Sequence, residues 1–454
     1  MEQKLERKYG LFTAICMVAG IVIGSGVFFK AKDILNMTGG DMPLGVLAWV
    51  IGGAIMMVCL LTFSFMGQKY EKVNGVVDYA EATVGKRYGY LMGWFVATIY
   101  FPAMAAVLCW VTATYTLDFL GAIFPGLPQE GWVVTLTSLL VMVFAFAVNV
   151  LSPKLAGKFQ TSTTVIKLIP LGLMAVVGIV YGLVSGTLTE NFRATAQVAG
   201  TSANPLFAAI CASAFAYEGW IIATSINAEI KDSKKNLPKA LIIGGIIIAS
   251  VYIFYYLGVA GGATNQQLMS KGTTVAFSNL FGNGLGNVLK LFVAISCFGT
   301  TNGLMLACCR GLYSVAARGE GPKPEVLGRL NPKTNMPTVS SLIGLLLILG
   351  WFGYFNFFLA YADSATTVPF VFDSSELPII TIYLMYLPIL IQWMRKEKDQ
   401  SVIRRFILPM LALCGSVFMV IASVFSHGWG CAWYLIVFSV MMLVGILLRR
   451  KNNA

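Results

Sequence analysis

Long apolar runs recur along the whole chain and constrain its fold more than any other feature of the sequence. A helix that crosses the hydrocarbon core of a bilayer needs about 20 mainly apolar residues, and runs of that length follow one another from residue 9 to residue 449. Only 11% of the 454 residues are charged, so too few charges remain to cover a water-soluble protein of this size. The sequence therefore predicts an all-α, polytopic membrane protein.

Twelve of these runs are predicted to be membrane spans. Their predicted boundaries are 9–37, 42–68, 89–120, 131–150, 159–184, 204–228, 239–261, 286–316, 337–357, 369–394, 403–426 and 430–449. The first, sixth and tenth are irregular, because Gly, Pro or polar residues interrupt their apolar character. We expect no cleavable signal peptide, since the charged amino terminus leads into a span that is too long and too rich in glycine.

The net charge of +12 is distributed in a way that reports topology. Most of the 32 lysines and arginines fall at the two ends and in loops that the spans place on one side. The opposite loops are predicted to hold only Lys30, Lys32, Arg193 and Lys271. This asymmetry predicts that both termini lie in the cytoplasm. It also explains the positive net charge without a nucleic-acid partner.

The residue types that most enzymes need are scarce. The nine cysteines lie in or at the edges of apolar spans and form no CxxC pair, so we interpret them as small buried hydrophobic residues. The chain has one histidine, His427, which excludes a metal cluster or a triad built from several histidines. We therefore predict that the protein is not an enzyme and holds no metal and no cofactor.

Two of the predicted spans are interrupted near mid-membrane depth. The first has Gly20, Gly24 and Gly26 at its centre, and the sixth has Glu218 and Gly219 midway. Glycine weakens helix continuity, and a glutamate buried in a membrane is costly. Each interruption therefore predicts a broken helix.

The interrupted spans occupy matching positions in the chain. Each leads a set of five spans, and because five is odd, the second set begins on the opposite side of the membrane. The sequence thus predicts two inverted repeats, 9–184 and 204–394, followed by two additional helices within 403–449. Paired interruptions of this kind point to the binding site of a transporter.

At the first interruption, Gly24, Ser25 and Gly26 have the composition of an anion site. Where a helix begins, free backbone N–H groups and the positive end of the dipole bind a carboxylate without a cationic side chain. A packing role remains open, because Gly20 and Gly24 also form a small-xxx-small motif. The matching interruption in the sixth span favours binding.

At the second interruption, the run from Phe215 to Trp220 offers complementary chemistry. Carbonyl groups at the end of a half-helix accept hydrogen bonds from an ammonium group, and Phe215 or Trp220 could cover the ligand as an aromatic gate. The rings could equally face lipid or pack in the core. Glu218 is a functional candidate by default, although a protonated or paired structural carboxylate is the alternative.

Lys167 lies within the fifth span, and no acidic residue is within one helical turn of it in sequence. An ammonium group that faces backbone carbonyls inside a bundle occupies the place of a bound monovalent cation. Snorkelling to the interface is the alternative, but Pro170 marks irregular helix nearby and favours a functional role. Weaker candidates are Tyr100 on the third span, and Thr300 with its neighbouring polar residues on the eighth.

Several of these segments together resemble the amino acid–polyamine–organocation superfamily of transporters. The chain is most similar to the L-type amino acid transporters and the bacterial serine/threonine exchangers over nearly its whole length. The segments that carry the resemblance are GIVIGSGVF (20–28), VIKL (165–168), FAYEGW (215–220), EIKDSKKNLPKAL (229–241) and RLNPKTNMP (329–337). The glycine motif alone is weak, but the five in this order and spacing are specific.

The resemblance implies the leucine-transporter fold and α-amino acid substrates. It implies a substrate carboxylate bound at 24–26, an amine bound at the broken helices, Phe215 as the aromatic gate, and Lys167 in place of a sodium site. Glu218 departs from the many family members that carry a smaller or uncharged residue there, and 361–376 fits the usual tenth helix poorly. The residues predicted to contact substrate are Ile21, Gly24, Ser25, Gly26, Tyr100, Phe215, Ala216, Tyr217 and Glu218.

The combined prediction is a sodium-independent secondary transporter, an exchanger of small neutral L-amino acids, in the bacterial cytoplasmic membrane and with no obligatory protein partner. The alternative is uptake of cationic amino acids or amines, with Glu218 as countercharge and with proton coupling. A sensor or a subunit of a larger complex is disfavoured by the short tails. A pore is disfavoured because paired broken helices suit alternating access.

Overall fold

The computed structural model describes residues 10–70, 75–129, 131–194, 204–223, 230–360 and 371–449. These residues form twenty α-helices and four π-helical turns, and each turn continues directly from or into an α-helix. The first ten helices are α1 (Leu11–Val22), α2 (Gly26–Met37), α3 (Met42–Lys69), α4 (Val76–Thr83), α5 (Lys86–Phe95), α6 (Phe101–Ile123), α7 (Trp132–Leu151), α8 (Pro153–Leu173), α9 (Ile179–Ser185) and α10 (Thr187–Arg193). The others are α11 (Pro205–Tyr217), α12 (Trp220–Ala223), α13 (Ser233–Gly262), α14 (Asn265–Lys271), α15 (Thr274–Ala316), α16 (Pro324–Leu327), α17 (Thr338–Phe355), α18 (Leu377–Lys396), α19 (Leu408–His427) and α20 (Trp429–Leu448).

Among the described residues, ten helical segments are long and apolar enough to cross a membrane. Two shorter apolar helices, Leu11–Gly20 and Pro205–Tyr217, belong to the first and sixth predicted spans. The predicted all-α polytopic membrane fold is therefore confirmed. Of the tenth predicted span, residues 369 and 370 lie outside the described residues, and α18 begins at Leu377.

The first and sixth spans are broken where the sequence predicts it. The first span stops at Val22 and resumes as α2 at Gly26. The sixth stops at Tyr217, continues through Gly219 with a φ of 103°, and resumes as the short helix α12. Only glycine adopts that backbone conformation readily, so Gly219 makes the break possible.

Two long helices, α13 and α15, contact many other helices of the bundle, and α13 packs directly on α1, the first half of the broken first span. Helix α13 packs against α1 and α3, and α15 packs against α6, α8 and α17. Backbones approach closely where small residues meet: a Cβ atom added at Gly178 or Gly182 would overlap the backbone of α13 at Gly258 or Gly261. Small residues allow this close packing in membranes, where the hydrophobic effect does not drive helix association.

The π-helical turn Val96–Tyr100 joins α5 to α6 and is entirely buried. A π-helical turn widens the helix by one residue and changes the direction of the side chains around it, and such turns occur often at functional sites. Here the turn ends at Tyr100, whose side chain reaches the break in the sixth span.

Candidate functional site

The break in the first span leaves backbone groups without helical partners. The first hydrogen bond within α2 runs from the N–H of Phe29 to the carbonyl of Ser25 at 2.9 Å. The N–H groups before it are the free donors that every helix N-terminus presents. The buried hydroxyl of Ser25 also has no hydrogen-bond partner within the described part of the chain. This end of α2 therefore offers several donors to an anion.

The carboxyl end of α1 is capped by a residue of the seventh span. The hydroxyl of Tyr252, on α13, donates a hydrogen bond to the carbonyl of Val22 at 2.9 Å. Tyr252 could not be predicted as a site residue, because nothing in the tyrosine-rich run of α13 indicates which ring reaches the break.

The glycines of the first break face protein atoms. A Cβ atom at Gly26 would lie 2.6 Å from the Cα of Ala216, and one at Gly24 would overlap the side chain of Thr300. The broken helices thus cross in direct contact at Gly26 and Ala216. Close packing between helices is therefore one role of these glycines in the structure.

The break in the sixth span carries the buried carboxylate. Glu218 is 9% exposed and follows directly on the last residue of α11. Its Oε1 accepts a hydrogen bond from the hydroxyl of Tyr100. The other oxygen, Oε2, has no hydrogen-bond partner among the described residues. A buried carboxylate oxygen without a donor is energetically costly, which makes it a natural contact for a ligand.

The aromatic residues around this break point in different directions. Phe215 packs edge-to-face on Phe29 of α2, with ring centroids 6.0 Å apart. Trp220 lies beyond the break, against Phe63 of α3 at 5.6 Å. Tyr217 donates to the carbonyl of Trp49 at 2.9 Å, so its hydroxyl is directed towards α3. Phe215 is therefore the ring that packs on the first turn of α2.

Lys167 is fully buried, and its side chain points into the bundle. Its Nζ donates to the carbonyl of Gly20 at 2.8 Å and to the hydroxyl of Thr300 at 3.3 Å. The ammonium group thus joins α8, α1 and α15. This geometry does not support the snorkelling alternative, because the charge faces protein carbonyl and hydroxyl oxygens.

Thr300 and Lys30 also lie at the candidate site, although the sequence alone indicates neither of them strongly. Thr300 contacts Lys167 and also faces Gly24. The assignment of Lys30 to an outer loop is wrong: it lies in α2 and is 3% exposed. Its partner, Glu376, is nearly 350 residues away in sequence, so no local pattern could reveal the pair. Ile21 lies in α1, but its side chain is outside what the structure describes.

Two broken helices that cross at a buried polar centre are typical of secondary transporters, among them those of the leucine-transporter fold. The model of the amino acid permease family matches residues 9–447. The chain belongs to this family, and it is therefore an amino acid transporter and not an enzyme.

Individual relatives match over nearly the whole chain. The serine/threonine exchanger SteT of Bacillus subtilis is 28% identical, with 95% of this chain and 94% of the relative covered. The b(0,+)-type amino acid transporter 1 of Mus musculus is 25% identical, with coverage of 98% and 87%. The large neutral amino acids transporter small subunit 2 of Mus musculus is 26% identical, with coverage of 97% and 80%.

Proposed function

We propose that this transporter exchanges small neutral L-amino acids across the membrane without sodium. The observation that carries the proposal is the crossing of the two broken helices at Gly26 and Ala216. It places the amino-terminal end of α2 beside the carboxyl-terminal end of α11. One end offers hydrogen-bond donors and the other offers acceptors, which is the pairing that the two α-substituents of an amino acid require.

The substrate carboxylate would bind at the start of α2. The free N–H groups there and the unpartnered hydroxyl of Ser25 supply donors, and the dipole of α2 supplies positive potential. The substrate amine would bind carbonyl groups at the end of α11. Phe215 would cover the bound molecule from the side of α2, as an aromatic gate.

The side chain of the substrate would extend towards Tyr100 and Glu218. Bulky neighbours limit its size: Tyr100, Trp220 and Tyr386 are among the largest fully buried residues of the protein. The similarity to a serine/threonine exchanger favours a small neutral side chain. A hydroxyl group on the substrate could donate to Oε2 of Glu218, the oxygen that has no hydrogen-bond partner among the described residues.

Sodium independence is proposed because the amine end of Lys167 lies between α1, α8 and α15, where an ammonium group would supply a positive charge. A bound sodium ion in that position would be held by carbonyl and hydroxyl oxygens, and those are the groups that the ammonium contacts. A sodium ion and the ammonium group of Lys167 in the same small space would repel each other. The lysine therefore substitutes for an ion that would otherwise couple transport to a gradient.

The second candidate is transport of cationic amino acids or amines. Its support is Glu218, a buried carboxylate beside the site with one oxygen unpartnered in the described structure. A cationic side chain would satisfy that oxygen and neutralise the charge. A protonated Glu218 would instead leave the site neutral and allow proton coupling.

The wider proposal concerns the membrane and the moving parts. Residues 9–184 and 204–394 would form two inverted repeats that move relative to each other by alternating access, with the helices of 403–449 outside them. The similarity to a bacterial exchanger favours the bacterial cytoplasmic membrane. The distribution of lysine and arginine favours a cytoplasmic position for both termini. No partner protein is required in this scheme.

Uptake of labelled amino acids into proteoliposomes tests the proposal. The panel contains serine, threonine, alanine, leucine, arginine and a diamine, each with an excess of the same unlabelled compound as competitor. We expect saturable uptake of the small neutral compounds. Uptake restricted to arginine or the diamine would instead establish the second candidate, and no uptake of any compound would contradict both.

A further inference from the structure

A chain of ionisable residues lies beside Phe215 at the candidate site. It consists of Lys30 on α2, Glu376 directly before α18, and His427, the last residue of α19. Lys30 is 3% exposed and Glu376 is 1% exposed. Burial of opposite charges in this way is sustained only by close pairing, and removing one partner leaves an uncompensated charge.

Lys30 forms the centre of this chain. Its Nζ lies 2.6 Å from Oε1 of Glu376 and 3.6 Å from a carboxylate oxygen of Asp33. The hydroxyl of Ser375 lies at 3.5 Å. Because Lys30 belongs to the half-helix that follows the break, the ion pair joins a predicted moving element to the start of α18.

The same ammonium group contacts the aromatic residues that cover the site. Its Nζ lies 5.3 Å from the ring centroid of Phe215 and 5.2 Å from that of Phe29. Cation–π contacts at these distances are attractive, more so where water is excluded. Lys30 therefore connects Glu376 to the ring that the proposed function assigns as the gate.

His427 faces the second oxygen of the same carboxylate. Its Nε2 lies 3.4 Å from Oε2 of Glu376, and its Nδ1 lies 3.3 Å from the carbonyl oxygen of Ser423. A neutral imidazole has one donor and one acceptor, whereas the protonated ring has two donors. Since both nitrogens face acceptors, the protonated ring fits this environment.

Ligand atoms of Asp373, Glu376 and His427 lie within 4.8 Å of one another, which is close enough to share a metal ion. The ammonium of Lys30 already neutralises Glu376 at 2.6 Å, however, and would repel a second cation. The arrangement is therefore better described as an ion-pair chain than as a metal site, and His427 is its variable member.

We propose that Lys30, Glu376 and His427 form an outer lock that holds the transport site closed to the outside, with Lys30 as the positioning residue for Phe215. This inference rests on the proposed function, since it assigns the lock to a transport cycle. Opening requires α2 to leave α18, which separates Lys30 from Glu376. The proton on His427 strengthens the closed form, because it lets both ring nitrogens donate, to Glu376 and to the carbonyl of Ser423, and adds a positive charge beside Glu376.

Thiol labelling from outside tests the lock without any need for transport. Cys211 is fully buried on α11 and lies within electrostatic range of Lys30, Asp373 and Glu376. The protein is prepared with Cys211 as its sole cysteine, and its reaction with a membrane-impermeant thiol reagent is followed in intact cells. Labelling reports how often the outer end opens.

We expect Lys30→Gln and Glu376→Gln each to accelerate the labelling of Cys211 by about tenfold or more, since each leaves its partner's charge unpaired. Lys30→Arg keeps the charge and is expected to restore slow labelling. The matched control is Lys290→Gln, which removes the ion pair with Asp118 at 3.2 Å between α15 and α6, a pair that includes no residue of the lock. The control is expected to label as slowly as the parent.

Each variant is checked for elution as a single species in detergent, so that faster labelling can be attributed to opening and not to misfolding. Slow labelling in well-folded Lys30→Gln and Glu376→Gln would overturn the lock. Equal acceleration in Lys290→Gln would also overturn it, because the effect would then not be specific. Since transport is not measured, a failure of the substrate proposal leaves this test unaffected.

The contribution of His427 is tested by external pH. The titratable groups that act on His427 are Glu376 and Asp373 beside α18, and Cys431 on α20 contacts Ser423, whose carbonyl faces the ring. Glu376 and Asp373 are in turn within electrostatic range of Lys30 on α2 and Cys211 on α11, and Asp33 on α2 acts on Lys30. Helix α3 also packs on α19, where its Cys59 reaches Ser416. Between about pH 5.5 and 8, the range in which histidine titrates, labelling should rise more steeply in the parent than in His427→Gln. Glutamine is a donor at every pH, so the pH profile of His427→Gln contains the ionisation of the Cys211 thiol but not that of His427. Identical pH profiles in the parent and the variant would overturn the role of His427.

Discussion

The hydroxyl of Tyr100 donates a hydrogen bond to Oε1 of Glu218 and so joins the π-helical turn of the third span to the break of the sixth. This contact fixes one oxygen of a buried carboxyl group, while Oε2 has no hydrogen-bond partner among the described residues. Glu218 is therefore the residue at which neutral and cationic substrates can be distinguished.

Glu218→Gln separates the two substrate classes. The amide oxygen can still accept from Tyr100, but the negative charge is lost. If small neutral amino acids are the substrates, their transport should change by about twofold or less, as for a lost neutral contact. Transport of arginine, if present, should fall steeply, because a cationic side chain loses its countercharge. Initial rates for serine and arginine, measured side by side, give the answer, and equal loss of both would indicate a folding role instead.

Gly26→Ala tests the crossing of the broken helices. The added Cβ would lie 2.6 Å from the Cα of Ala216, a backbone atom that cannot move independently. Overpacking of this kind costs about 1–3 kcal/mol, so we expect substrate affinity to fall about tenfold with the protein still folded. Gly350→Ala is the matched control, since no described atom lies within 4 Å of its Cβ position on α17. Unchanged affinity in Gly26→Ala, measured by ligand-dependent thermal shift, would contradict the assigned crossing.

Lys167→Ala should nearly abolish transport, because it removes the ammonium that joins Gly20 to Thr300. Lys167→Arg should also be poor, since a planar guanidinium does not replace a compact ammonium. The loss should appear mainly in turnover rather than in substrate affinity. Measuring both for each variant in proteoliposomes checks this, and a fully active Lys167→Ala protein would defeat the assigned role.

The predicted topology is tested by tags. A tag beside Lys271, at the end of α14, should be accessible from outside intact cells, whereas tags at either terminus should become accessible only after permeabilisation. Antibody labelling before and after permeabilisation distinguishes these positions. Termini on opposite faces would require an odd number of spans and would remove the basis for the inverted repeats.

The breaks in the helices could be predicted from sequence because their causes are local. Gly24, Gly26 and Gly219 act through their own backbone freedom and size, and Glu218 is conspicuous in an apolar run. Lys167 was recognisable for the same reason. The family resemblance then supplied the fold, which local patterns alone do not determine.

The contacts that complete the site could not be predicted, because they join distant segments. Tyr252 caps α1 from the seventh span, and Lys30 pairs with Glu376 from the opposite end of the chain. A lysine near the end of an apolar run looks like a loop residue by composition, which is why Lys30 was misplaced. The direction of a ring is equally hidden, so Trp220 was grouped with Phe215 although it packs against Phe63.

Counterflow in proteoliposomes tests the central claim most directly. Vesicles that contain the purified protein are either loaded with unlabelled serine or left empty, and uptake of external labelled serine is measured in sodium and in choline. The proposed exchange predicts rapid uptake into loaded vesicles in both media and little uptake into empty ones. Uptake into empty vesicles that depends on external sodium would contradict both the exchange mechanism and the role assigned to Lys167.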